Sequence, residues 1–253
     1  MLYLLLCCQM NSNRPKILGV PVDAYRSTKE LLQDIEIGMN GAGPRTVFSV
    51  NPEKIMRARK DPVLSDALVN SDVLIPDGIG VVLAIRILHK LKVSRIAGVD
   101  LMRLLLDKAG KRGYRVYIFG AKPAIHLRTI NKIKKRFPSL KIVGSSHGYI
   151  QENQHGALID DINSVNPDIL FVGLGSPKQE YWIQVHKSVL NVKLCMGIGG
   201  SLDVIAGHIP RAPYFFRTLG LEWFYRLIRE PNRFRRQLAL PRFFFELLKE
   251  KSF

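Results

Sequence analysis

The chain has 253 residues, with 38 Lys and Arg against 21 Asp and Glu, a formal net charge of +17 and a sequence pI near 10.0. Its 47% hydrophobic and 23% charged content suits a domain with a buried core and excludes a disordered polybasic tail. No uncharged apolar run approaches the roughly 18–20 residues needed to cross a bilayer, which excludes a multi-span membrane protein.

The opening MLYLLLCCQM is apolar for only about eight residues, with no basic flank and no small-residue cleavage site. It is too short to span, and residues 1–15 are read as an N-terminal extension. Three cysteines, Cys7, Cys8 and Cys195, are too few for a disulfide framework and show no zinc-ligand spacing. A reducing compartment is the expectation.

From Lys16 onward apolar runs alternate with helical segments. The runs Lys16–Val22, Thr46–Val50, Val73–Pro76, Arg115–Phe119, Lys141–Val143, Ile169–Val172 and Lys193–Ile198 predict strands. Helical periodicity lies between them, as at Leu101–Gly113 and Ala124–Phe137. Uninterrupted apolar strands alternating with helices predict a largely parallel sheet with helices on both faces, a Rossmann-like α/β domain over residues 16–206. Ligand sites in such sheets lie at the carboxyl ends of the strands. Several strand ends are polar: Asn51-Pro52-Glu53-Lys54, Asp77-Gly78-Ile79-Gly80, Gly175-Ser176-Pro177-Lys178-Gln179-Glu180 and Gly199-Gly200-Ser201-Leu202-Asp203.

A compositional break falls near Gly207–Arg211. Residues 207–253 hold eight Arg and two Lys against four Glu, and 11 of the 22 aromatics. They predict a C-terminal helical appendage, basic and aromatic, in which Arg211, Arg217, Arg226, Arg229, Arg233, Arg235 and Arg236 alternate with Trp223, Phe224, Tyr225 and Phe234. Such a surface meets phosphate, as nucleic acid or as anionic lipid. Guanidinium groups fit phosphate oxygens and aromatic rings favour a membrane interface. No nucleic-acid recognition motif is present, which favours an anionic membrane surface and no nucleic acid. A nucleic-acid binder, and a soluble nucleotide-dependent α/β enzyme whose tail makes an oligomer interface, are the alternatives.

The strand-end loops each allow two readings. Gly173-Leu174-Gly175-Ser176-Pro177-Lys178 lacks the third glycine of a dinucleotide fingerprint. It reads instead as a turn into a helix capped by Ser176, with Pro177 in the first turn. It is either a structural turn or an anion site reinforced by Lys178. Asp77 either caps the helix Gly80–His89 or serves as a general base or sugar ligand. Asn51 carries the same ambiguity, with Ser49 on the same face of its strand. No Asp-x-Asp pair occurs, so a bound diphosphate would be neutralised by Arg, Lys and helix ends, with no metal and no cofactor.

The segments SVNPEK (Ser49–Lys54), PDGIG (Pro76–Gly80), RIAGVDL (Arg95–Leu101), GLGSPKQE (Gly173–Glu180), GGSLDV (Gly199–Val204), RAP (Arg211–Pro213) and GLEWFYRL (Gly220–Leu227) occur in this order. Together they resemble the WecG/TagA/CpsF glycosyltransferases, from about Ile17 to about Arg236. The resemblance implies a bacterial, metal-independent, inverting enzyme, peripheral on the cytoplasmic face of the cell membrane. It would move an N-acetylmannosamine-type sugar from a UDP donor to N-acetylglucosamine on undecaprenyl diphosphate. It also implies Asp77 as catalytic base, with Ser49 where the family carries a catalytic-site Thr. Asn51, Arg95 and Gln179 would contact substrate, and Arg226, Arg233 and Arg236 the lipid diphosphate. Tyr149 and Asp203 fall where the family holds uridine, and Gly175, Lys178 and Gly199 complete the expected nucleotide site. The oligomeric state is left open.

Overall fold

The computed structural model describes residues 14–229 and 239–251. Among them a two-stranded antiparallel hairpin, β1 (Lys16–Ile17) with β2 (Val20–Pro21), precedes a six-strand parallel sheet flanked by helices. The sheet runs β4-β3-β8-β7-β5-β6, from β3 (Arg45–Val50), β4 (Val73–Pro76), β5 (Arg115–Gly120), β6 (Lys141–Ser146), β7 (Ile169–Gly173) and β8 (Leu194–Gly197). Six of the seven predicted strands are therefore sheet strands. The seventh, Lys16–Val22, is instead broken into the hairpin, because Leu18 and Gly19 turn the chain at φ 49° and 84°. Glycine takes up such a backbone conformation at no steric cost.

The helices are α1 (Thr28–Gly38), α2 (Pro52–Ala58), α3 (Pro62–Val69), α4 (Ile79–His89), α5 (Gly98–Arg112), α6 (Pro123–Arg136), α7 (His155–Ser164), α8 (Lys178–His186), α9 (Ser201–Ala206), α10 (Tyr214–Thr218), α11 (Glu222–Arg229) and α12 (Ala239–Lys251). They group into two compact units. The first comprises the described residues of Met1–Asp34, Ser49–Ala97 and Ala212–Phe253, and the second Ile35–Phe48 and Gly98–Arg211.

In the second unit, Val116–Phe119, Ile169–Val172 and Leu194–Met196 are buried on every residue, as apolar strands covered on both faces must be. Asp168 holds the starting edge in register: it accepts from the Arg115 backbone N–H at 2.8 Å and pairs with Lys193 Nζ at 2.8 Å. The helices α6 and α9 pack together. Thr129 Oγ1 donates to the Leu202 carbonyl at 3.0 Å, and Lys132 Nζ to that of Ala206 at 2.8 Å.

In the first unit, Val73, Leu74 and Ile75 of β4 are fully buried, with Leu64 and Leu68 of α3 and Val81 and Ile85 of α4. The basic, aromatic residues after 211 belong to this unit. Helix α12 packs on α2 and α4, burying Phe243 and Leu247. The side chains of Phe244, Phe245 and Leu248 remain exposed.

Candidate functional site

The first unit carries the candidate catalytic residues on the ends of β3 and β4. Asn51 leaves β3 in extended conformation and caps α2, its Oδ1 accepting from the Lys54 backbone N–H at 2.8 Å. Pro52 occupies the first turn, where its missing N–H is no loss. Lys54 is buried and its Nζ donates to the Ser49 carbonyl at 2.6 Å, which pins the end of the strand. The side chain of Ser49 is half-buried.

Asp77 follows β4 directly, and its N–H donates to the Val50 carbonyl at 2.8 Å. The helix beyond it is capped by Gly78, with no side-chain hydrogen bond. Asp77 therefore stands one position before the cap. The next turn is close-fitting: a Cβ on Gly80 would lie 2.8 Å from Pro52 Cγ. Glycine is required there for the two strand-end loops to approach. The segment carrying Arg95 is tied to the same edge, since the Ile96 N–H donates to the Pro76 carbonyl at 3.1 Å. Arg95 itself, half-buried, lies 3.5 Å from a carboxylate oxygen of buried Glu222.

Helices α10 and α11 and the turn between them expose Tyr214, Phe215, Leu219, Phe224 and Ile228. Two arginines lie over their rings, Arg217 over Tyr214 and Arg229 over Tyr225, each 5.7 Å from the ring centre. Arg226 is on α11, while Arg233, Phe234, Arg235 and Arg236 lie outside the described residues. Among the described residues no helix is long and apolar enough to cross a membrane.

The second unit contains a cavity of about 570 Å³ at the carboxyl ends of its strands. Three main-chain bonds set its rim: Ala121 N–H to the Gly173 carbonyl (2.9 Å), Gly148 N–H to that of Ala121 (2.8 Å) and Ile198 N–H to that of Val172 (2.9 Å). All five residues expected at the nucleotide, Tyr149, Gly175, Lys178, Gly199 and Asp203, line this one cavity. Lys178 opens α8 and Lys122 holds the cap position of α6, so two helix starts and two lysines line it. That is an arrangement for phosphate.

Ser176 does not cap α8. The Ser176–Pro177 peptide is cis, and Pro177 takes the cap position without a side-chain bond. Gln179 is not on the cavity wall: it is 1% exposed, accepting from the Gly199 N–H at 2.7 Å and donating to Glu180 Oε1 at 2.9 Å. It ties the start of α8 to the loop after β8. Arg211, counted above with the tail cations, is paired with Asp100.

The cavity residues missed in the sequence include Lys122, His155 and Trp182. Lys122 had a signal, because Ala121-Lys122-Pro123 follows the apolar run Arg115–Phe119 and obeys the same strand-end rule. Trp182 lies one turn beyond Lys178 on the same helix face. Nothing near His155 in the sequence marks it. Two histidines outside the cavity lining are held toward the neutral form: burial pushes His126 down, partly offset by the Gly120 carbonyl, and burial followed by the neighbouring His155 lowers His186. Among the described residues no three His, Cys, Asp or Glu side chains come together as metal ligands.

Comparison with known proteins gives a consistent picture. The model of the Glycosyl transferase WecG/TagA/CpsF family matches residues 15–253. An N-acetylglucosaminyldiphosphoundecaprenol N-acetyl-beta-D-mannosaminyltransferase of Bacillus spizizenii is 39% identical over 205 residues, 81% of this chain and 79% of the relative. The protein of that name from Bacillus subtilis is 40% identical over 206 residues, 81% of this chain and 80% of the relative.

Proposed function

Because the chain belongs to the WecG/TagA/CpsF glycosyltransferase family, we propose that it transfers an N-acetylmannosamine unit from UDP to N-acetylglucosamine on undecaprenyl diphosphate. The acceptor and the sugar are those in the names of the Bacillus relatives. The strongest support for a nucleotide donor is the convergence of Tyr149, Gly175, Lys178, Gly199 and Asp203 on one cavity that also holds Lys122. In this reading Asp203 meets the ribose, while Lys122, Lys178 and the N–H groups of the helix starts meet the diphosphate.

Transfer proceeds with inversion and without a metal. Asp77 accepts the proton of the acceptor hydroxyl as the new bond to the sugar's anomeric carbon forms and the bond to the diphosphate oxygen breaks. In this reading the negative charge that appears on departing UDP is stabilised by Lys122, Lys178 and the helix starts of the cavity. Ser49 and Asn51 orient the reacting sugar, Asn51 through the amide group not used in its cap, and Arg95 binds substrate beside them. Gln179 acts indirectly, by holding the Gly199 loop. Arg226, Arg233 and Arg236 meet the lipid diphosphate, and the exposed rings of α10 and α11 rest on an anionic membrane surface, with the enzyme peripheral on the cytoplasmic face.

Offering a panel of UDP-sugars with a short-chain prenyl-diphosphate-linked N-acetylglucosamine tests this directly. UDP-N-acetylmannosamine is expected to release UDP in proportion to acceptor consumed. No release with any UDP-sugar would refute the reading. Lys178→Ala is expected to weaken UDP binding by ~10-fold, the weight of one charge-assisted contact, as measured by calorimetry. For the membrane, Phe215→Ser combined with Phe224→Ser is expected to lower partitioning onto phosphatidylglycerol vesicles by ~10-fold or more, since both rings are exposed apolar surface. Unchanged co-sedimentation would remove these helices from membrane contact.

A further inference from the structure

The wall of the cavity formed by α7 and α8 is aromatic. Trp182 is almost wholly buried and its ring lies 5.1 Å from that of Phe119, centre to centre. Its indole N–H donates to Nδ1 of His155 at 2.8 Å. The ring of His186 stacks on His155 at 5.9 Å with a 21° angle between planes. His155, Trp182 and Phe119 all line the cavity.

The Trp182 bond decides the tautomer of His155. Indole can only donate, so Nδ1 of His155 must accept, and the neutral ring carries its proton on Nε2. With one edge held by Trp182 and one face covered by His186, the ring is set before any ligand arrives. Among the described residues, Nε2 has no other hydrogen-bond partner. A fixed neutral donor among aromatic walls suits a planar base, whereas the phosphate chemistry of the cavity belongs to Lys122 and Lys178.

We propose that the His155 Nε2–H donates to the 4-carbonyl oxygen of the pyrimidine, which makes His155 the residue that selects uracil over cytosine. Uracil presents a carbonyl oxygen at the position where cytosine presents an amino group. A locked donor bonds the first and faces an opposed donor in the second. Sites built around such a bond reject the mismatched analogue strongly, because the buried polar group is left unpaired. This inference rests on the UDP-donor reading above.

Competition binding of UDP and CDP to the full-length chain tests it. The unaltered protein is expected to prefer UDP by ~10²-fold. His155→Ala should weaken UDP by ~10-fold and leave CDP unchanged, so that the preference collapses toward ~10-fold. Trp182→Phe, which keeps the ring but frees the tautomer, should lower the preference by ~3-fold. His155→Gln, whose amide N–H reaches the same position, should keep it within ~3-fold. Lys178→Ala should weaken both nucleotides equally. Equal loss of UDP and CDP in His155→Ala, a glutamine as poor as alanine, or an unchanged preference in Trp182→Phe would overturn the assignment. Equal binding of UDP and CDP by the unaltered protein would overturn it while leaving the donor reading intact. Failure to bind UDP at all would remove both.

Discussion

Replacing Asp77 by Asn is expected to lower turnover by ~10²–10⁴-fold, the usual weight of a general base, while UDP affinity stays within ~2-fold. The isosteric amide keeps the volume of the carboxylate but cannot take a proton at neutral pH. The bond from its backbone N–H to the Val50 carbonyl does not involve the substituted group and is kept. The cap position of the following helix is Gly78, one residue beyond it. The larger effect should fall on turnover, and urea unfolding of the variant reads any accompanying change in stability. Steady-state UDP release gives turnover and calorimetry gives UDP affinity. Near-normal turnover would remove Asp77 from the role. A matched fall in UDP affinity would mean that the substitution had disturbed the fold and not the proton transfer.

Phe243→Ala is expected to destabilise the first unit by about 3–5 kcal/mol, the range for deleting a buried aromatic side chain. Phe243 is 0% exposed on the face of α12 that packs against α2 and α4. Its ring reaches the start of α4, just beyond Asp77: a Cβ on Gly80 would lie 3.9 Å from Phe243 Cε1. The ion pair on the same helix, Arg59 with Glu246 at 2.9 Å, sits at the surface. Exposed pairs contribute little, so Glu246→Ala should change stability far less than Phe243→Ala. Urea unfolding separates them, with a clear fall in midpoint for Phe243→Ala at similar slope and almost none for Glu246→Ala. Equal midpoints for the two variants would show that α12 is not part of the core.

The packing of α12 also bears on how membrane contact should be tested. A chain truncated near Ala206 would lose the exposed rings of α10 and α11, but it would also strip Ala212, Phe243 and Leu247 from the buried core. Its inactivity would report unfolding as readily as loss of a membrane surface. Substitution of Phe215 and Phe224, both solvent-facing, avoids this ambiguity.

The amino-acid sequence by itself determined the six sheet strands, because a parallel sheet covered on both faces demands uninterrupted apolar runs, and those are visible locally. It determined equally that polar loops follow those runs, and its ordered motifs carried the family. Local pattern was not enough where the outcome depended on how the backbone turned or on which partner folding brought near. Ser176 resembled a cap until the Ser176–Pro177 turn placed Pro177 there. Gln179 resembled a pocket residue until burial committed its amide to Gly199 and Glu180. Arg211 resembled a free tail cation until Asp100 met it. His155 acquired a fixed tautomer only through Trp182, 27 residues away. The run Phe243-Phe244-Phe245 makes the division plain. Three identical side chains in a row carry no local signal of which one is core, and only the packing of α12 on α2 and α4 buries the first and leaves the other two in solvent.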